Sequence, residues 1–137
     1  RFSYTLPDAL AMLREFPTLK YTLDISHWMV VHERLLSESD PLLQEIFSSV
    51  GHIHARVGFA EGPQVPNPAA PEWKNEVKVH LDIWEKIIRS QMGKTFTITT
   101  EFGPPPYMAT VPFTKQPVAD QWEANVWMMN ALKSRFQ

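Results

Sequence analysis

Two acids, three histidines and an arginine fall at matching places in three short stretches of the chain. Asp24 and His27 lie in LDISHW, His52, His54 and Arg56 in HIHARVG, and Glu101 in TITTEFG. A carboxylate, an imidazole and a second carboxylate drawn from three neighbouring strands form a nitrogen and oxygen donor set suited to a divalent cation. Each residue also has a plainer reading. An Asp at a strand end is commonly a helix cap or turn residue. His52 and His54 can be hydrogen-bonded interior histidines, the favoured reading for His52, and Glu101 can pair with Arg56 as a buried ion pair. What favours a shared site is that all three stretches present their acid or imidazole at one height and on one polar face.

The long segment GFAEGPQVPNPAAPEW follows the second stretch and is expected to overhang the same rim, as functional lids do. Within it Glu61, Gln64, Glu72 and Trp73 offer hydrogen bonds and a flat apolar wall to a polyol; Trp73 serves equally well as an anchor for the next helix. Trp28, one residue past His27, either walls the pocket or caps the core. Trp127, Met128 and Met129 read as packing residues, while His80 and His32 have no partner at metal-ligand spacing. No GxGxxG, P-loop, GxSxG or HExxH pattern occurs, so nucleotide-fingerprint and common hydrolase chemistry lack support.

The elements that must carry these residues follow from apolar spacing. Leu6, Leu10 and Leu13 predict a first helix, with Pro7 tolerated in its opening turn. Asp40-Pro41 predicts a capped start for a second, with Leu42, Ile46 and Val50 on one side. Val77, Leu81, Trp84 and Ile88 predict a third, and Trp122, Val126, Met129 and Phe136 a fourth that starts near Asp120. Between them, period-two alternation predicts strands. Leu19, Tyr21, Leu23 and Ile25 mark one, Ile53, Ala55 and Val57 another, and Phe96 and Ile98 the last. The order αβαβαβα argues for parallel strands joined by right-handed helical crossovers. Each strand has one apolar and one strongly polar face, whereas a sheet covered on both sides reads as continuous Val, Ile and Leu. A barrel with a binding site at the carboxyl ends of its strands satisfies that pattern better than a doubly wound sheet.

Composition sets the outer bounds. The chain has 137 residues, 44% hydrophobic, 20% charged and 12% aromatic, which fits one folded domain and not disorder. It has no cysteine, which removes disulfides, thiolate metal sites and cysteine nucleophiles. A formal charge of −2 gives no general attraction to nucleic acid or anionic lipid. No apolar run reaches a membrane span and no signal-peptide pattern is present, so the expected compartment is the cytoplasm. Nine of the 12 prolines gather in two segments that read as stiffened loops, at Pro63 to Pro71 and Pro104 to Pro117. The chain opens at Arg1 and not at a methionine, as a piece of a longer protein would.

In this order the motifs resemble the xylose-isomerase-like TIM-barrel superfamily, which includes sugar phosphate isomerases, ketose 3-epimerases and endonuclease IV. Asp24-Ile25-Ser26-His27 is similar to the Asp-x-x-His after the sixth barrel strand. His52-Ile53-His54 is similar to the His-x-His of the seventh, and Glu101 resembles the Glu closing the eighth. The resemblance implies that residues 1–137 are a single partial domain, the C-terminal portion of a (β/α)8 barrel, with three βα units and a leading helix. It implies a divalent metal (Mn, Mg, Co or Zn) on Asp24, His54 and Glu101, with His27 at the substrate and Glu101 moving a proton beside a carbonyl. Arg56, Trp28, Glu61, Gln64 and Trp73 would join His27 in substrate binding. Ala60 stands near the place where the epimerases carry an arginine, and the family's second glutamate comes from an upstream strand. A full barrel takes about 250 residues, so the expected partner is the missing N-terminal barrel half or another subunit.

The expected function is a metal-dependent sugar or sugar-phosphate isomerase or epimerase, inactive as these residues alone, with no nucleic acid or membrane partner. The alternatives are an endonuclease-IV-like zinc phosphodiesterase, which lacks its Asp-x-His pair and basic track here, and a non-catalytic carbohydrate-binding barrel.

Overall fold

The computed structural model describes residues 3–137; Arg1, at which the chain opens, lies outside them. Helix α1 (Leu6–Glu15) starts at a capping box: the Thr5 side chain accepts from the Asp8 amide and the Asp8 side chain from the Thr5 amide, with Pro7 in the first turn. Strand β1 (Tyr21–Leu23) leads directly into helix α2 (Ile25–Val31), capped by Asp24. Helix α3 (Pro41–Ile46) is capped by Asp40, and strand β2 (Val50–Ala55) follows one 3-10 turn later. Helix α4 (Lys74–Ser90), strand β3 (Thr97–Thr100) and helix α5 (Gln121–Phe136), capped by Asp120, complete the chain.

The fold is α/β, with one parallel three-stranded sheet in the order β1-β2-β3. Thr22 pairs with His52, Ile53 with Ile98 and His54 with Thr99. This register brings the three stretches singled out in the sequence side by side, with Asp24 level with His54; Glu101 lies two residues beyond Thr99, the partner of His54, and so higher than the common level expected. Leu23, Ile53, Ala55 and Val57 turn their side chains into a core shared with Leu6 and Leu10 of α1, Ile46 of α3, Ile83, Trp84 and Ile87 of α4, and Met128 of α5. On the other face Thr22, Thr97 and Thr99 are exposed and His52 and His54 half-buried. The polar face inferred from alternation is therefore real, and no described helix covers it.

Several elements depart from expectation. Helix α2 is an addition to the predicted order. Ile25, expected in the first strand, opens that helix because the Asp24 cap ends the extended backbone first. Val50, expected on the second helix, is the first residue of β2. On α3 it is Leu43 and not Leu42 that is buried. The inward stripe of α5 is Ala124, Met128 and Leu132, leaving Trp122 at 76% exposure. Phe96 and Ile98 are only half-buried, since β3 is an edge strand flanked by a single helix. Among the described residues, no helix is long and apolar enough to cross a membrane.

Candidate functional site

The carboxyl ends of the strands frame a cavity of about 430 Å³ whose lining includes Thr22, Asp24, His27, Trp28, His54 and Glu101. Asp24 is the most constrained of these. As the N-cap of α2 it accepts from the Ser26 amide at 3.1 Å and the Ser26 hydroxyl at 2.5 Å, both through Oδ1. Its Oδ2 accepts a charge-assisted hydrogen bond from Arg56 Nη2 and lies 3.5 Å from His27 Nε2. Asp24 is thus the helix cap that one reading made it, its second oxygen is engaged by Arg56, and the residue also lines the cavity.

Glu101 stands one residue beyond β3, where its Oε2 accepts from His54 Nδ1 at 2.8 Å. Burial raises its pKa above the usual carboxylate value, and the charge of the neighbouring Asp24 carboxylate raises it further. His54 and Arg56 pull in the opposite direction without reversing the shift. His52 is hydrogen-bonded as expected, Nδ1 lying 2.7 Å from Thr97 Oγ1 with its ring edge-on to His54, but on the exposed polar face of the sheet and not in the interior. The structure therefore brings Asp24, His27, His54 and Glu101 together at one mouth. Trp28 fills both roles open to it: it is 5% exposed, in the core, and it lines the cavity. Tyr21 lines the cavity too; its hydroxyl donates to the Ala9 carbonyl at 3.0 Å, and burial raises its pKa.

Five other candidates sit elsewhere. Arg56 is 3% exposed and outside the cavity lining, and its partner is Asp24, not Glu101. Gln64 is buried as a two-way clip: its Oε1 accepts from the Gly103 amide at 2.8 Å and its Nε2 donates to the Gly103 carbonyl at 3.0 Å. Those bonds fasten the loop after β2 to the loop after β3, which occupies both functional atoms. Trp73 leans on Phe59 with ring centroids 5.1 Å apart, the anchoring alternative, and Glu61 is exposed on the tight turn closed by Phe59 and Gly62. The loop is thus strapped down on itself, with Glu72 exposed in a 3-10 turn at its end.

Sequence reasoning missed two contributors. Ser26 was legible as the residue two beyond an Asx cap. Tyr107, whose ring lies 4.5 Å from the Arg56 guanidinium carbon, follows a run of three prolines and carried no signal of its own.

Among the described residues, no three His, Asp or Glu side chains stand in a metal cage. His54 Nδ1 is turned onto Glu101, and Asp24 onto Arg56 and Ser26. What fits a divalent ion is the chemistry of the donors. The Asp24 and Glu101 carboxylates lie near enough to repel each other and stand beside the His54 imidazole, a concentration of negative charge that a cation relieves. No protein-family model, curated protein or solved structure matches the chain.

Proposed function

We propose that this chain forms the last three βα units of a TIM barrel that isomerises or epimerises a sugar or sugar phosphate with a divalent metal. The observation that carries this reading is the meeting of Asp24, His54 and Glu101 at one cavity on the uncovered face of a parallel sheet. Two further features support it. Among the described residues the outer edges of β1 and β3 have no strand partner, and an open polar face calls for an opposite wall. A barrel supplies both, from an upstream half of the chain or from another subunit, and with them the second acid of the proton-transfer pair.

Asp24, His54 and Glu101 would hold the metal; when bound, it polarises a carbonyl and its neighbouring hydroxyl and lowers the cost of an enediolate. The chain's own residues do the rest. Asp24 is held in one orientation by Ser26 and Arg56, so it enters the site already aligned. Glu101 moves the proton at the carbon beside the carbonyl. Burial and the Asp24 charge raise its pKa towards neutrality, as a general acid and base requires, while a cation held on the carboxylate would pull it back down. His54 Nδ1 keeps the Glu101 carboxylate pointed into the cavity. His27 meets substrate hydroxyls from the first turn of α2, and the Trp28 ring supplies a flat wall for the apolar face of a sugar.

Incubating the intact protein with Mn²⁺ and a panel of ketoses in D₂O tests this reading, with deuterium at the carbon beside the carbonyl followed by proton NMR. Deuterium is expected with wild type and is expected to fall at least about a hundredfold with Glu101→Gln, which retains sugar binding. Equal incorporation by Glu101→Gln contradicts the assignment of the base. No incorporation from any ketose, with Mn²⁺, Co²⁺, Mg²⁺ or Zn²⁺, contradicts the reaction class.

A further inference from the structure

Arg56 leaves the list of substrate contacts, yet its surroundings are too specific for a filler of space. Its side chain is 4% exposed, and the guanidinium carries its charge into a region with one carboxylate partner. Nη2 is shared between Asp24 Oδ2 and His27 Nε2, the latter 2.8 Å away. Nε is buried and, among the described residues, has no hydrogen-bond partner. A buried guanidinium with an unused donor is held incompletely by hydrogen bonds alone. The missing support is aromatic: the Tyr107 ring lies over the guanidinium at 4.5 Å, within the range of a cation–π contact.

Tyr107 is itself seated with care. It comes from the loop after β3, and its amide donates to the Pro104 carbonyl at 3.0 Å. A Cβ on Gly103 would lie 3.2 Å from the Tyr107 ring, so the ring packs onto backbone that a larger residue would obstruct. Gly103 is in turn gripped by Gln64, and Met108 is buried at 1% exposure just beyond. The ring is half-exposed while everything beneath it is fixed.

We infer that Arg56 and Tyr107 form a positioning couple, in which the Tyr107 ring holds the buried guanidinium that in turn fixes Asp24 and His27 at the cavity. The couple joins the three strand ends into one unit: Tyr107 belongs to the β3 side, Arg56 to β2, and Asp24 and His27 to β1 and α2. Lysine is a poor replacement for Arg56: an ammonium can also sit against a ring, but it lacks the flat, forked guanidinium that meets the Tyr107 ring, Asp24 and His27 at once. The value of the couple to a bound metal rests on the proposed function; its effect on Asp24 does not.

Two readouts on the intact protein separate these layers. The first is hydrogen exchange at the Ser26 amide, whose acceptor is Asp24 Oδ1 at 3.1 Å. The second is Mn²⁺ affinity, measured by water-proton relaxation. In Tyr107→Leu, Ser26 exchange is expected to quicken roughly threefold or more, with Ile53 in β2 keeping wild-type protection and Mn²⁺ binding weakening about three- to tenfold. Tyr107→Phe keeps the ring and is expected to match wild type in both, while Arg56→Lys is expected to resemble Tyr107→Leu or exceed it. Unchanged Ser26 exchange in Tyr107→Leu overturns the inference, as does equal acceleration at Ser26 and Ile53, which marks general loosening. A wild type that binds no Mn²⁺ but shows the local Ser26 response supports the couple and removes the metal from the proposed function.

Discussion

Acidification should destabilise this protein through one histidine, and the size of the effect follows from where that residue lies. His80 is fully buried on the inner face of α4. Its Nδ1 donates to the Glu76 carbonyl at 2.7 Å, and its Nε2 accepts from the Gly58 amide at 3.2 Å. With Nε2 used as an acceptor the ring is neutral, and a second proton would break the bond to Gly58. Desolvation pushes its pKa from 6.5 down to about 4, against the smaller opposing pulls of the Glu76 carbonyl and the Asp24 charge. The folded-state pKa lies below the unfolded one, so the unfolded chain binds more protons between the two values. Stability is therefore complete above about pH 6.5 and declines as pH falls, by up to about 1.4 kcal/mol per unit. Across the whole window the loss is about 3 kcal/mol, and at about pH 5 it is about 2 kcal/mol. Urea unfolding of wild type and His80→Gln, each at about pH 7.5 and about pH 5, isolates this contribution. The glutamine offers an acceptor to Gly58 but does not titrate, so its stability should fall by about 2 kcal/mol less than that of wild type. Identical losses in the two proteins would refute the reasoning.

Two other substitutions probe how the site is braced. In Gly58→Ala the added Cβ would meet Ser26 Cβ at 2.7 Å and the Gly62 and Pro63 carbonyls at 3.0 Å, pressing on the turn that holds Asp24. Thermal unfolding should show a loss of about 1–3 kcal/mol, whereas Gly51→Ala, whose nearest contact is 3.7 Å, should change stability by less than about 0.5 kcal/mol. Gln64→Leu strands the Gly103 amide and carbonyl, and urea unfolding should register a cost of about 3 kcal/mol. Gln64→Glu retains an acceptor for the Gly103 amide and should cost less at acidic than at neutral pH, where its charge is buried.

The parallel sheet was legible because three alternating stretches separated by helical spacing leave few other connections, and the cap at Asp40 and the start of the last helix near Asp120 were read directly. Alternation also exposed the polar face, since His52 and His54 flank Ile53 in a strand whose other residues are apolar. Helix α2 was not legible: Ile25 continues the period of Leu19, Tyr21 and Leu23, and only the bond from the Ser26 amide to Asp24 shows that the strand has ended. Polar residues of the long loop looked available because sequence carries no information on what a side chain will meet. Gln64 meets Gly103, 39 residues away, and Arg56 meets Asp24 32 residues away. Distant pairings of this kind consumed Gln64 and Arg56 structurally while leaving Asp24, His54 and Glu101 at the cavity. The exposed Trp122 illustrates the converse, an apolar residue whose helical spacing predicted burial on a face that the fold turns outward.

The most direct test of the shared site is the pattern of NMR line broadening caused by substoichiometric Mn²⁺ in the intact protein. The account predicts that amide signals of Asp24, His54 and Glu101 broaden first and together, ahead of those from the mixed-charge surface patch where Glu38, Asp82 and Glu85 stand beside Lys86 and Arg89. Broadening centred on that surface patch, or spread evenly over the molecule, would contradict it.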